Sequence, residues 1–203
     1  MFLFSFLNCF SQREFKYNLW QSVSGRFTSR NIEFSSEFGY RSCDFFVKSP
    51  RNVFGRIILE YKILRFNHFG LGFAYFEHFS DNLDTRFENR PFFQYWVENS
   101  ICKIVYKFRF RNELRLFNDH NFSNRLRIQG GINFISSDRL HPYFSVEYFY
   151  TPGKQELFEQ RYNIGITKRT KNIQSSFFYI LQRQSNVQYL QNIIGYQIHF
   201  FMN

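Results

Sequence analysis

From about residue 15 to the C-terminus, large apolar residues alternate with charged and amide residues at a period of two. No segment sustains a 3.6-residue period. This spacing predicts eleven strands, at about 15–27, 31–42, 53–65, 68–79, 86–98, 101–116, 123–135, 141–150, 160–168, 173–183 and 191–201. Successive side chains of a strand point to opposite sides, so each segment carries a greasy face and an ionic one. The first reads Ile57, Leu59, Tyr61, Ile63 in one strand and Tyr106, Phe108, Phe110 in another. The second reads Arg56, Glu60, Lys62 and Lys103, Lys107, Arg109, Arg111, Glu113.

Pairing follows from the turns. A two-residue loop at Asn99 and Ser100 sets Glu98 against Ile101. It also sets Tyr95 against Ile104 and Phe93 against Tyr106 on the apolar face, and Glu88 against Arg111 and Arg86 against Glu113 on the ionic one. Each opposite-charge pair contributes roughly 0.2–1 kcal/mol. The same register leaves Arg90 facing Arg109, which demands an anion such as Glu147. A connection centred near residue 154 places Glu147 across from Arg161, with Gln129 or Arg127 on its other side.

Connection lengths alternate. Those at 99–100, 136–140 and 169–172 are short, whereas those at 80–85, 117–122, 151–159 and 184–190 are long. Outer-membrane barrels arrange periplasmic turns and extracellular loops in this way. The closing IIGYQIHFFMN is similar to the terminal strand signal of such barrels. The expected fold is an antiparallel transmembrane β-barrel of ten to twelve strands, with the apolar face toward lipid and a polar, arginine-rich lumen. Bacterial single-chain barrels carry even strand counts. The parity argument therefore predicts either that 15–27 does not span, giving ten, or that two strands have been merged, giving twelve.

Composition sharpens the picture. The 203 residues include 31 Phe and 13 Tyr, yet mean hydropathy is −0.40, so the aromatics are segregated by face and not gathered into apolar blocks. The net charge of +10 is dispersed, without a run of like charges that would form an interaction tail, and no nucleic-acid partner is expected. The opening MFLFSFLNCFSQ is uncharged and too short to cross a bilayer as a helix. It resembles the apolar part of a secretory leader without the basic segment that normally precedes it. Residues 1–12 are thus read as a leader and 13–203 as one barrel domain. Three cysteines form no disulfide framework: Cys9 falls in the leader, where FLNC is a poor lipidation site, Cys43 in a loop and Cys102 at a strand start.

FENRPFFQYW, KFRFRNELR, NRLRIQ, PYFSVEYFY, EQRYNIGI and the closing NIIGYQIHF succeed one another in the order seen in the domain-of-unknown-function 2490 family. The sequence resembles that family over most of the mature chain. The resemblance implies a Bacteroidetes-type barrel in the cell outer membrane and leaves biochemical activity open. The short leader departs from the pattern.

The candidate lumen residues are Arg86, Glu88, Arg90, Arg109, Arg111, Glu113, Arg125, Arg127, Glu147 and Arg161. They admit two readings. One is a charge network that fills a narrow lumen, giving a structural barrel; the other is a narrow pore or pocket selecting small anions. Outer-membrane lipid is the expected surrounding. A third reading is a lipid-modifying hydrolase built on His78, Ser80 and Asp81, since a serine needs a neighbouring base to become nucleophilic. A fourth is a soluble exported barrel that turns its aromatic face inward around an apolar ligand. No metal-ligand spacing occurs and no cofactor is expected.

Overall fold

The computed structural model describes residues 15–42, 50–79, 85–119, 121–136, 140–153, 157–185 and 190–202. They form eleven strands: β1 (Phe15–Ser29), β2 (Ile32–Ser42), β3 (Pro50–Leu64), β4 (Asn67–Phe79), β5 (Thr85–Ile101), β6 (Ile104–Phe117), β7 (Phe122–Phe134), β8 (Leu140–Thr151), β9 (Leu157–Arg169), β10 (Ile173–Gln184) and β11 (Leu190–Met202). Each strand pairs with its chain neighbours, and β1 pairs with β11 to close a barrel. The leader at 1–12, with Cys9, lies outside the described residues, as do Cys43, Ser80 and Asp81.

Strand number departs from the even count expected. Residues 15–27 do form a strand of the barrel, and no predicted segment splits in two. With an odd count the first and last strands run in the same direction, so the β1–β11 seam is parallel while every other ladder is antiparallel. That seam is unbroken from Phe15↔Leu190 to Phe27↔Met202. Parallel ladders pair evenly, though slightly less stably per residue than antiparallel ones. The closure therefore leaves no free strand edge.

Alternation fixes which side chains point inward. Val23, Phe38, Leu59, Leu71, Phe108, Ile164 and Phe177 point away from the barrel axis and are exposed, as are many other large apolar residues around the outer wall. Glu88, Arg90, Arg111, Glu113, Arg125 and Glu147 occupy the other parity and are buried inside. A barrel of about eight strands is filled by ordinary side chains. Eleven strands enclose more space, and the long residues Arg, Glu, Gln, Phe and Trp occupy it.

The β5–β6 turn is displaced from its expected place. Ile101 pairs with Ile104 and the loop residues are Cys102 and Lys103, so Cys102 is a turn residue and not a strand start. Glu98 consequently opposes Lys107 instead of Ile101. The expected Glu88–Arg111, Arg86–Glu113, Tyr95–Ile104, Phe93–Tyr106 and Arg90–Arg109 pairs do not form. Slipping a strand by an even number of residues preserves both faces, so alternation cannot choose between the registers. The observed one sets Gln94 against Arg111 and Tyr95 against Phe110, and brings Lys107 Nζ to 3.8 Å from Glu98 Oε2. Cys102 takes a left-handed φ of 53°, as the first residue of a primed hairpin turn must.

Four interior glycines each lie opposite a ring on the neighbouring strand: Gly39 and Phe54, Gly72 and Phe92, Gly165 and Tyr143, Gly195 and Phe178. A Cβ at any of them would come within 2.1–2.7 Å of a ring atom. The missing side chain is what lets the aromatic lie flat against the wall.

Candidate functional site

The lumen is organised around a few carboxylates, each shared among several guanidinium groups. Glu88, fully buried on β5, accepts from Arg90 Nε at 2.5 Å and Nη2 at 2.7 Å, from Arg115 Nε at 2.5 Å, and pairs with His78 Nε2 at 2.9 Å. Glu113 on β6 accepts from Arg125 Nε at 2.9 Å and Nη2 at 2.5 Å, and from Arg127 Nη1 at 2.5 Å. Arg127 on β7 then reaches Glu147 on β8 at 2.8 Å, and Arg109 joins that carboxylate at 3.1 Å. Arg161 on β9 lies 4.0 Å from Glu147, but forms an ion pair with Glu159 at 2.5 Å and donates from Nε to Gln182 at 3.0 Å. Such charge-assisted, often bidentate bonds are the strongest hydrogen bonds available to side chains.

An aromatic layer interleaves with the ions. The Arg90 guanidinium sits 3.7 Å from the Phe76 ring centroid, Arg111 4.4 Å from Phe92, and Arg127 and Arg161 4.7 and 4.4 Å from Phe149. Arg41 lies 4.0 Å from the Trp20 ring and 4.8 Å from Phe54. Desolvated cation–π contacts contribute up to about 2 kcal/mol each. Nearer the short-turn end, Glu60 accepts from Trp96 Nε1 at 2.6 Å and from Gln94, and His68 stacks on Trp96 with centroids 3.6 Å apart. Ser24 Oγ bonds His199 Nδ1 in the same region.

Three cavities separate these groups, of about 260, 150 and 130 Å³. The largest lies at mid-barrel. Its wall carries eight arginines against three glutamates, Glu37, Glu113 and Glu147. The arrangement can hold an anion by fork-shaped donors and resist a cation.

Of the residues singled out from sequence, Glu88, Arg90, Arg109, Arg111, Glu113, Arg125, Arg127, Glu147 and Arg161 meet inside the barrel. Arg86 does not. It is exposed at a strand end, 3.0 Å from Asp119 in the β6–β7 turn. Arg109 is held by Glu147 and Arg90 by Glu88, so the two arginines find separate anions. Sequence reasoning did not single out Arg41, Arg56 and Glu37 as site residues, nor the interior rings Trp20, Phe54, Phe76, Phe92 and Phe149. Their parity along each strand was the signal: they share the inward face with the ions. His78 is engaged by Glu88. Among the described residues no three His, Cys, Asp or Glu side chains converge as metal ligands.

A family model described as "Protein of unknown function (DUF2490)" matches residues 17–192, and the chain belongs to that family. No curated protein matches the sequence.

Proposed function

We propose that this protein is an integral barrel of the cell outer membrane whose lumen is closed to bulk solute flow by its own side chains. The observation that carries the reading is the outer wall. Large apolar residues such as Phe38, Leu71, Phe108 and Phe177 are exposed on it, whereas soluble monomers rarely expose contiguous apolar patches beyond a few hundred Å². Strands of 11–17 residues meet or exceed the roughly 9–11 that a tilted strand needs to cross a bilayer. Short turns then face the periplasm and long connections the exterior. The aromatic-rich face points outward, which favours a lipid surrounding over a soluble barrel with its aromatics turned inward around an apolar ligand.

Closure is supported by burial at mid-lumen. Arg111, Phe149, Glu88 and Glu113 are the largest fully buried side chains along with Ile193. The space left between the lumen side chains is small, in cavities of about 260, 150 and 130 Å³. A narrow, anion-favouring pore is the second reading, and the arginine surplus favours it. Vesicles carrying the refolded protein decide between them. The closed barrel predicts no osmotic swelling in neutral sugars, and no salt-gradient current above that of protein-free membranes. A steady current reversing toward the chloride potential selects the pore, and free passage of sugars contradicts both.

A further inference from the structure

We propose that the mid-barrel cavity is a binding site for a phosphate-class oxyanion, held chiefly by Arg41 and Arg56. This deepens the reading of a closed lumen and depends on the barrel being folded as described. Three observations converge on the site.

Charge comes first. Besides Glu37, Glu113 and Glu147 on the cavity wall, the arginines there draw on Glu88 and Glu159, giving five carboxylates for eight guanidinium groups. Arg115 also draws on Glu88, which deepens the deficit. Buried charges without compensation are costly, so the wall is built to be neutralised by something that carries several negative charges.

Donor geometry comes second. The Nε atoms of Arg41 and Arg56 are both buried without a hydrogen-bond partner among the described residues, and both residues line this cavity. Arg56 is anchored through Nη2 to Glu37. Among the described residues Arg41 makes no ion pair and is positioned by stacking on Trp20 and Phe54. A guanidinium held by ring stacking keeps its in-plane donors free, and that fork fits phosphate or carboxylate but not a spherical halide.

Neighbouring cations come third. Arg161 shares the Trp20 ring with Arg41, and Arg90 shares Phe76 with it. The surplus charge is thus concentrated around the Arg41 guanidinium. A monovalent carboxylate would leave most of it unmatched, whereas a phosphate monoester or diphosphate would not. The position inside the lumen, away from the outer wall, suits a soluble oxyanion over a lipid headgroup.

The test titrates refolded barrel in detergent with inorganic phosphate, pyrophosphate, acetate and chloride at constant ionic strength by calorimetry, and separately adds short-chain phosphatidic acid. The expected result is saturable binding, tighter for pyrophosphate than phosphate, with acetate and chloride inert. Arg41→Gln should weaken it on the order of tenfold or more, the worth of one charge-assisted hydrogen bond, and Arg41→Lys should recover only part. Gel mobility before boiling verifies that each variant is folded, which separates failure of the site from failure of the barrel. Folded protein that binds neither phosphate nor pyrophosphate, binds them no better than chloride, or binds them equally well after Arg41→Gln overturns the proposal. Saturable binding of phosphatidic acid alone also overturns it.

Discussion

Glu147 lies directly across the β8–β9 ladder from Arg161, yet its nearest guanidinium belongs to Arg127 on the other side. Arg161 stands 4.0 Å away, while Arg127 and Arg109 bond the carboxylate at 2.8 and 3.1 Å. Backbone register brings residues into the same neighbourhood. Long side chains then choose partners across the lumen, and one carboxylate serves three strands.

Glu147→Gln should therefore destabilise the barrel strongly. Removing one member of a buried ion network costs about 3–5 kcal/mol because the remaining charges lose their compensation, and here Arg109 and Arg127 are both left behind. Arg161→Gln should cost less, since Glu147 keeps Arg127 and Arg109, and Glu159, which loses its guanidinium, keeps Gln184. Urea unfolding of the refolded protein, followed by tryptophan fluorescence, measures both.

Arg86→Ala should change stability by less than about 1 kcal/mol, the usual worth of an exposed pair. The Asp119 carboxyl is held below its usual range first by the Asn121 side chain, with Arg86 a lesser influence. The same unfolding assay checks this contrast with Glu147.

Gly72→Ala should destabilise by about 1–3 kcal/mol, the cost of overpacking, because the new methyl would stand 2.2 Å from the Phe92 ring and 2.9 Å from the Ile57 carbonyl oxygen. Phe92→Leu in the same chain should return part of the loss. Additive losses in the double variant would show that the ring is not the obstacle.

Cys102, exposed at the tip of the β5–β6 turn, reports orientation. With Cys9 and Cys43 replaced by serine, a membrane-impermeant maleimide should leave Cys102 unlabelled in intact cells and label it once the outer membrane is permeabilised. Labelling of intact cells would reverse the assignment of short turns to the periplasm.

Strand positions and faces were legible because a period of two survives in every segment: Ile57, Leu59 and Tyr61 turn out while Arg56, Ile58 and Glu60 turn in. The Glu147–Arg161 and Glu147–Gln129 oppositions were legible too, the first from a connection centred near residue 154 and the second from the neighbouring ladder. The turn at Cys102 was not. Asn99 and Ser100 look like turn residues, and either register keeps Glu98 and Lys107 on the inner face. Strand parity misled because the first and last strands meet in parallel, a pairing that no local pattern signals. Phe54, Phe76 and Phe149 were missed as interior residues because an aromatic in a greasy-outside barrel reads as an outer one unless its position is counted.

The central claim is a membrane barrel with its aromatic face outward, and electrophoretic mobility after refolding into lipid vesicles tests it most directly. A barrel closed by eleven ladders and held by buried ion networks should migrate differently before boiling than after, and stay with the vesicles on carbonate washing. Identical mobility in both samples, with the protein recovered in the soluble fraction, would contradict it.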